Sequence, residues 1–223
     1  MTATTTIAPP SPKRTDLPPP SGGNGRGSWN HPEGEPIYGR PSGRTSRLGI
    51  WVALAPIVML FISFTSAMVV RRGLSDDWVP TELPNILWIN TLVIILSSVT
   101  LEFARRSLQQ DAVPEYRRRL GLTTLLGIAF LAGQFIAWWQ LASAGVYVYT
   151  NPSSSFFYVL TVAHGVHLLG GVAALVYLNL MVWRRAAVLT VSSSRTAFSV
   201  TSVYWHFMDV LWVYLFLLLT LWR

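Results

Sequence analysis

A chain of 223 residues that is 51% hydrophobic and only 12% charged, with its charges gathered between long apolar stretches, has the composition of a polytopic membrane protein and not of a soluble domain. Its net charge of +7 comes largely from arginines at the ends of apolar runs, where they anchor to lipid head groups, so the basicity describes topology and no nucleic-acid partner is expected. Cysteine is absent, which excludes disulfides, thiolate metal sites, covalently attached c-type haem and a thiol nucleophile.

Residues 1–47 have no apolar core and are crowded with Pro, Gly, Ser and Thr, a composition unlike a secretory signal and expected of a disordered tail. Five apolar stretches follow, at Leu48 to Val70, Ile86 to Ala104, Leu120 to Ala144, Phe156 to Trp183 and Ala197 to Trp222. A bilayer core of roughly 30 Å needs about 20 helical residues, so each can span it. The predicted fold is an all-α, polytopic membrane bundle of five transmembrane helices over residues 48–223. Lys13, Arg14, Arg26, Arg40, Arg44 and Arg47 precede the first span; Arg105, Arg106, Arg117, Arg118 and Arg119 fill the second loop; Arg184, Arg185 and Arg195 fill the fourth. The other side has only Arg71, Arg72 and Arg223, so the N-terminus is expected in the cytoplasm and the C-terminus outside.

In the first span Pro56 is expected to bend the helix. The second closes on Thr100-Leu-Glu-Phe-Ala-Arg-Arg106, where Arg105 and Arg106 stand three and four residues beyond Glu102 and predict an interfacial ion pair. In the third, Ala129, Gly133 and Ala137 recur every four positions, as Gly170 and Ala174 do in the fourth, and predict close helix contacts. Trp51, Trp78, Trp138, Trp139, Trp183 and Trp222 lie near span ends, as an aromatic belt would.

The fourth span carries His164 and His167, which share a helical face with Gly171 and Ala174. The fifth opens on Tyr204-Trp-His-Phe-Met-Asp-Val-Leu-Trp212 and places His206 and Asp209 on one face with Ser199, Ser202, Val213 and Phe216. A rise of ~1.5 Å per residue puts His167 ~17 Å and Asp209 ~18 Å into the bilayer, so the two are expected to meet near the midplane within a polar ladder of His164, His167, His206 and Asp209. Ionisable groups at that depth are costly and need partners or a task. Three readings stay open for them: a metal site, since imidazole and carboxylate suit zinc or iron; a proton relay; and hydrogen-bonded packing between helices with a lipid contact. The last is taken here, with no catalytic residue and no metal ligand assigned. The chain has no P-loop, dinucleotide fingerprint, HExxH motif or nucleophile elbow.

The fifth-span motif resembles the last helix of subunit III of the haem-copper (cytochrome c) oxidases, whose pattern is Tyr-Trp-His-Phe-Val-Asp-Val-Val-Trp. Ala163-His-Gly-Val-His-Leu168 with Gly170 and Gly171 is similar to that family's Phe-His-Gly-Leu-His-Val followed by glycine. Asn85-Ile-Leu-Trp-Ile-Asn-Thr91 after Pro84, with Ser97 and Ser98 beyond, looks like its Pro-x-x-Asn-Thr helix entry. Gly49-Ile-Trp51 through Val58-Met-Leu-Phe61 resembles its Gly-Met-Trp...Val-Met-Leu-Phe segment. The resemblance covers about 48–223 and implies a short, five-helix form of a family whose larger members have seven spans.

The resemblance implies an accessory, non-redox subunit of a proton-pumping cytochrome c oxidase in a bacterial plasma membrane, active in aerobic electron transport. It would stabilise subunit I, bind phospholipid in a cleft and support proton uptake. It would bind no haem or copper itself, those belonging to partner subunits; other oxidase subunits and a respiratory supercomplex are further expected partners. Four histidines, one of them His31 in the tail, are too few to ligate two haems and a copper, which agrees with an accessory role. Two carboxylates usual in the family are absent: the positions of its Ser-Glu pair hold Pro56 and Ile57, and that of its third-span acid holds Ala137. Two alternatives remain: an accessory subunit of a quinol oxidase or nitric-oxide reductase, and a free-standing haem- or metal-binding membrane enzyme built on the His/Asp ladder.

Overall fold

The computed structural model describes residues 43–74, 78, 83–184 and 191–221; most of the predicted tail and Trp222 lie outside them. The described chain is all helical, with α1 at Gly43–Leu74, α2 at Ile86–Gln109, α3 at Val113–Ser143, α4 at Pro152–Arg184 and α5 at Val191–Leu221. All five are long and apolar enough to cross a membrane.

The helices overrun their apolar stretches, most of all at α3, which starts at Val113 and not at Leu120. Helix ends are set by backbone hydrogen bonding and capping chemistry, which apolar content does not report. Pro114 sits in the first turn of α3, where a missing N–H is not needed, and Glu115 follows it at the positive end of the helix dipole. The loop between α2 and α3 thus shrinks to a turn. Asp111 closes it with φ +54°, while the Ala112 amide bonds back to Ser107 O at 3.0 Å. Gly145 ends α3 in the same way, with φ +79° and Val146 N bonded to Leu141 O at 3.0 Å. Asn151 caps α4: its Oδ1 accepts from the Ser154 amide at 2.8 Å, and Pro152 opens the helix.

Among the described residues, α2 packs on α3, α3 on α4, α4 on α5, and α5 returns to α2, which closes a ring of four helices. α1 touches only α4 and α5 and so leans on that seam from outside; it remains helical through Pro56. Trp205, Trp212, Phe130, Leu160, Leu168, Ile94 and Leu101 are buried among the four ring helices.

The predicted small-residue faces are partly corrected. Gly133 and Ala137 are buried, but Ala129 and Gly170 are exposed. Each four-residue step advances about 40° around the helix beyond a full turn, so a long series drifts out of a straight seam. Close approach is made instead by Gly127, Gly133 and Gly171. A Cβ on Gly127 would lie 2.6 Å from the Trp205 ring, one on Gly171 3.1 Å from it, and one on Gly133 would overlap Asn90. Half-buried Trp138 also joins α3 to α4, its Nε1 donating to Thr161 Oγ1 at 3.0 Å.

Candidate functional site

The Tyr204 to Trp212 motif is where α5 joins its neighbours. Trp205 Nε1 donates to Ser97 Oγ at 2.9 Å and Trp212 Nε1 to Thr91 Oγ1 at 3.1 Å, so one α2 face meets an antiparallel α5 through indole-to-hydroxyl bonds. Next to Ser97 is Ser98, whose hydroxyl donates to Asp209 Oδ2 in a short hydrogen bond and stands 2.9 Å from His206 Nδ1. Because the Ser98 proton goes to the carboxyl, its oxygen accepts from an Nδ1–H tautomer of His206. Asp209 Oδ1 is buried and has no protein partner.

The histidines of α4 lie elsewhere. His164 is fully buried against Phe130, with ring centroids 6.1 Å apart, and Trp212, at 5.2 Å; neither ring nitrogen has a hydrogen-bond partner. His167 turns toward α1: its ring is edge-on to Phe61 at 6.0 Å and its Nδ1 is 2.7 Å from Ala163 O. Tyr204 OH donates to His167 O at 2.8 Å. The expected meeting of His167 with Asp209 is therefore corrected, since Ser98 partners the carboxylate and Tyr204 is the α5 residue bonded to His167. Five residues beyond Tyr204 is about 140° around a helix, so when Tyr204 faces α4, Asp209 turns away toward α2. The ladder is thus three separate environments. Among the described residues no group of three His, Asp or Glu side chains is placed to share a metal ion.

Glu102 is 3.2 Å from Arg105 Nε and 3.5 Å from Arg106 Nε, with all three side chains partly exposed at the end of α2. Ile57 is half-buried and Ala137 fully buried, so neither position offers a carboxylate. The α2–α3 seam uses further polar contacts: Thr100 with Thr123 at 2.9 Å, and Arg119 Nη1 to Ser107 Oγ at 2.6 Å and Phe103 O at 2.9 Å. Asn179 Nδ2 joins α4 to Thr124 of α3 at 2.7 Å.

Sequence reasoning placed the ionisable residues on faces but missed their partners. Ser98 figures there only as part of a helix-entry motif, and Asn90, Gln134 and Asn179 were not singled out as packing groups. Asn90 Nδ2 reaches Phe130 O at 3.3 Å, while both polar atoms of buried Gln134 lack a protein partner. The signal that marks them is polarity inside apolar runs, the same one that marked Asp209.

Comparison with known proteins matches residues 45–223 to the family described as cytochrome c oxidase subunit III. The chain is 31% identical over 176 residues to cytochrome c oxidase subunit 3 of Thermostichus vulcanus, covering 77% of this chain and 85% of that protein. It is 32% identical over 173 residues to the probable cytochrome c oxidase subunit 3 of Nocardia farcinica, covering 76% and 84% respectively. Quinol oxidase subunit 3 of Bacillus subtilis is 28% identical over 182 residues, covering 80% and 88%.

Proposed function

Because the chain belongs to the cytochrome c oxidase subunit III family, we propose that it is the accessory, non-redox subunit of a proton-pumping cytochrome c oxidase. In that role it stabilises subunit I, contacts membrane phospholipid and supports proton uptake in aerobic electron transport in a bacterial plasma membrane. The observation that carries this reading is coverage: the family match spans 45–223 and takes in all but the first residues of the five helices. The signature residues of α5 are engaged in joining it to α2 and α4, which suits a structural subunit. His164, His167, His206 and Asp209 order the bundle, and Glu102 with Arg105 and Arg106 forms an interfacial ion pair. Haem and copper belong to partner subunits, and a respiratory supercomplex is the wider setting.

The test is purification of the tagged chain from its native membrane. It is expected to bring down a larger, His-rich subunit I that carries the haem spectrum. Stoichiometric haem or copper remaining on the separated chain would overturn the assignment. The match to the Bacillus quinol oxidase subunit favours a second reading, the same accessory role in a quinol oxidase. Oxidation of quinol and not of reduced cytochrome c by the purified complex would select it.

A further inference from the structure

Two side-chain hydrogen bonds cross the seam between α3 and α4: Trp138 Nε1 to Thr161 Oγ1 at 3.0 Å and Asn179 Nδ2 to Thr124 Oγ1 at 2.7 Å. Between them, four residues along each helix from the first pair, the antiparallel register brings Gln134 level with Gly165 and its neighbour His164. Seven residues further along each helix a Cβ on Gly127 would lie 3.3 Å from Val172, which agrees with that register. Gln134 is 1% exposed and His164 0%, and none of their four polar side-chain atoms has a protein partner. The nearby Thr161 hydroxyl is already engaged, accepting from Trp138 and donating to Phe157 O at 2.7 Å. A buried amide or imidazole left without a partner is strongly disfavoured. The same level has room for one. Gly165 is buried, yet a Cβ built on it would meet only Trp138, at 3.7 Å, an ordinary contact. Space that admits a methyl group also admits a water molecule, whose share of the liquid is about 30 Å³.

We propose that this space is an internal water-binding site, in which ordered water bridges the Gln134 amide to the His164 imidazole and completes the α3–α4 seam. Water matches the chemistry of both partners. The amide offers two donors and an acceptor, and a neutral imidazole one of each, so a molecule that both donates and accepts can bond either end of the amide and either ring nitrogen. Buried waters take two to four polar partners, and these two side chains supply that number. The rings of Phe130 and Trp212 pack against the imidazole, an apolar surround that disfavours an ion in the same place. The site gives His164 a part in joining α3 to α4 that its aromatic contacts do not supply. It goes beyond the accessory-subunit reading and does not depend on it.

The experiment reads the sign of one methyl group's effect on thermal unfolding of the full chain in mixed micelles. Gly165→Ala introduces no steric overlap and carries the same gain in helix propensity as Gly49→Ala, whose methyl meets no atom within 4 Å. Displacing the water strands Gln134 and His164, so Gly165→Ala is expected to lower the midpoint by about 2–4 °C where Gly49→Ala does not. In a Q134L/H164L background the leucines need no hydrogen-bond partner, so the same methyl fills apolar space and is expected to raise the midpoint. A raised or unchanged midpoint for Gly165→Ala alone means that the space is dry and overturns the proposal. An equal fall in both backgrounds means a steric clash and overturns it too. Should Q134L/H164L fail to fold, electron cryo-microscopy of the native assembly, at a resolution where ordered waters are seen, takes its place. Density within hydrogen-bond reach of both Gln134 and His164 is expected there; a direct bond between the two side chains, or no density between them, overturns the site.

Discussion

At the scale of single residues, the carboxyl of Asp209 is made tolerable by one hydroxyl. Ser98 lies between it and His206, so removing that oxygen strands both groups where no other described side chain bonds them. Intramembrane hydrogen bonds average about 0.6 kcal/mol, and Ser98→Ala is expected to destabilise the chain by about 1 kcal/mol, measured by unfolding in mixed micelles. Asp209→Asn keeps an acceptor oxygen for Ser98 and should be milder than Asp209→Ala. The comparison is subunit retention and oxidase activity; normal assembly with proton pumping abolished in both variants would make the cluster a relay and defeat the structural reading. His164 poses the opposite case. Its contacts are aromatic rings, so His164→Phe is expected to cost less than His164→Ala, which leaves a cavity beside Phe130 and Trp212.

Between elements, the decisive fit is a tryptophan seated between two glycines. Trp205 of α5 reaches Ser97 on α2 while Gly127 of α3 and Gly171 of α4 give way to its ring. A methyl on Gly127 has to displace buried indole carbons, so Gly127→Ala is expected to destabilise by about 1–3 kcal/mol, the usual cost of overpacking. A methyl on Gly49 would meet no atom within 4 Å, and Gly49→Ala should be neutral or slightly stabilising through helix propensity. Thermal unfolding of the two variants side by side checks the pair; equal effects would mean that Trp205 does not set the spacing of α3 and α4. The same fit accounts for the spacing of the α5 motif. Trp205 and Trp212 are seven residues apart, nearly two helical turns, and meet Ser97 and Thr91 on an antiparallel α2.

For the whole molecule, the described arginines at the C-terminal ends of α2 and α4 and the N-terminal ends of α3 and α5 share one end of the bundle. By the positive-inside rule we propose that this end is the cytoplasmic one. The chain has no cysteine, so single introduced thiols report topology without background. Tyr149→Cys, in the exposed turn between α3 and α4, is expected to react with a membrane-impermeant maleimide in intact cells. Gln110→Cys, in the turn between α2 and α3, should react only after permeabilisation; the reverse pattern inverts the molecule. Residues 1–42 are then expected on the same, cytoplasmic side.

The number and type of the elements were legible in the chain because a bilayer admits only helices and closed barrels, and apolar runs of about 20 residues fit the helix. The Tyr204 to Trp212 motif and its companions likewise identified the family without a fold. The azimuth of each helix was not legible. In water an apolar stripe points to the core, but here lipid and core are both apolar, and hydrophobic periodicity does not tell an exposed Leu169 from a buried Leu168. His206 and Asp209 could be placed on one face of α5, yet which helix that face meets depends on how four helices close into a ring. Tertiary packing settled it, through Trp205 against Gly127 and Gly171 and the hydroxyl row of α2, and so gave Asp209 to Ser98 and separated it from His167.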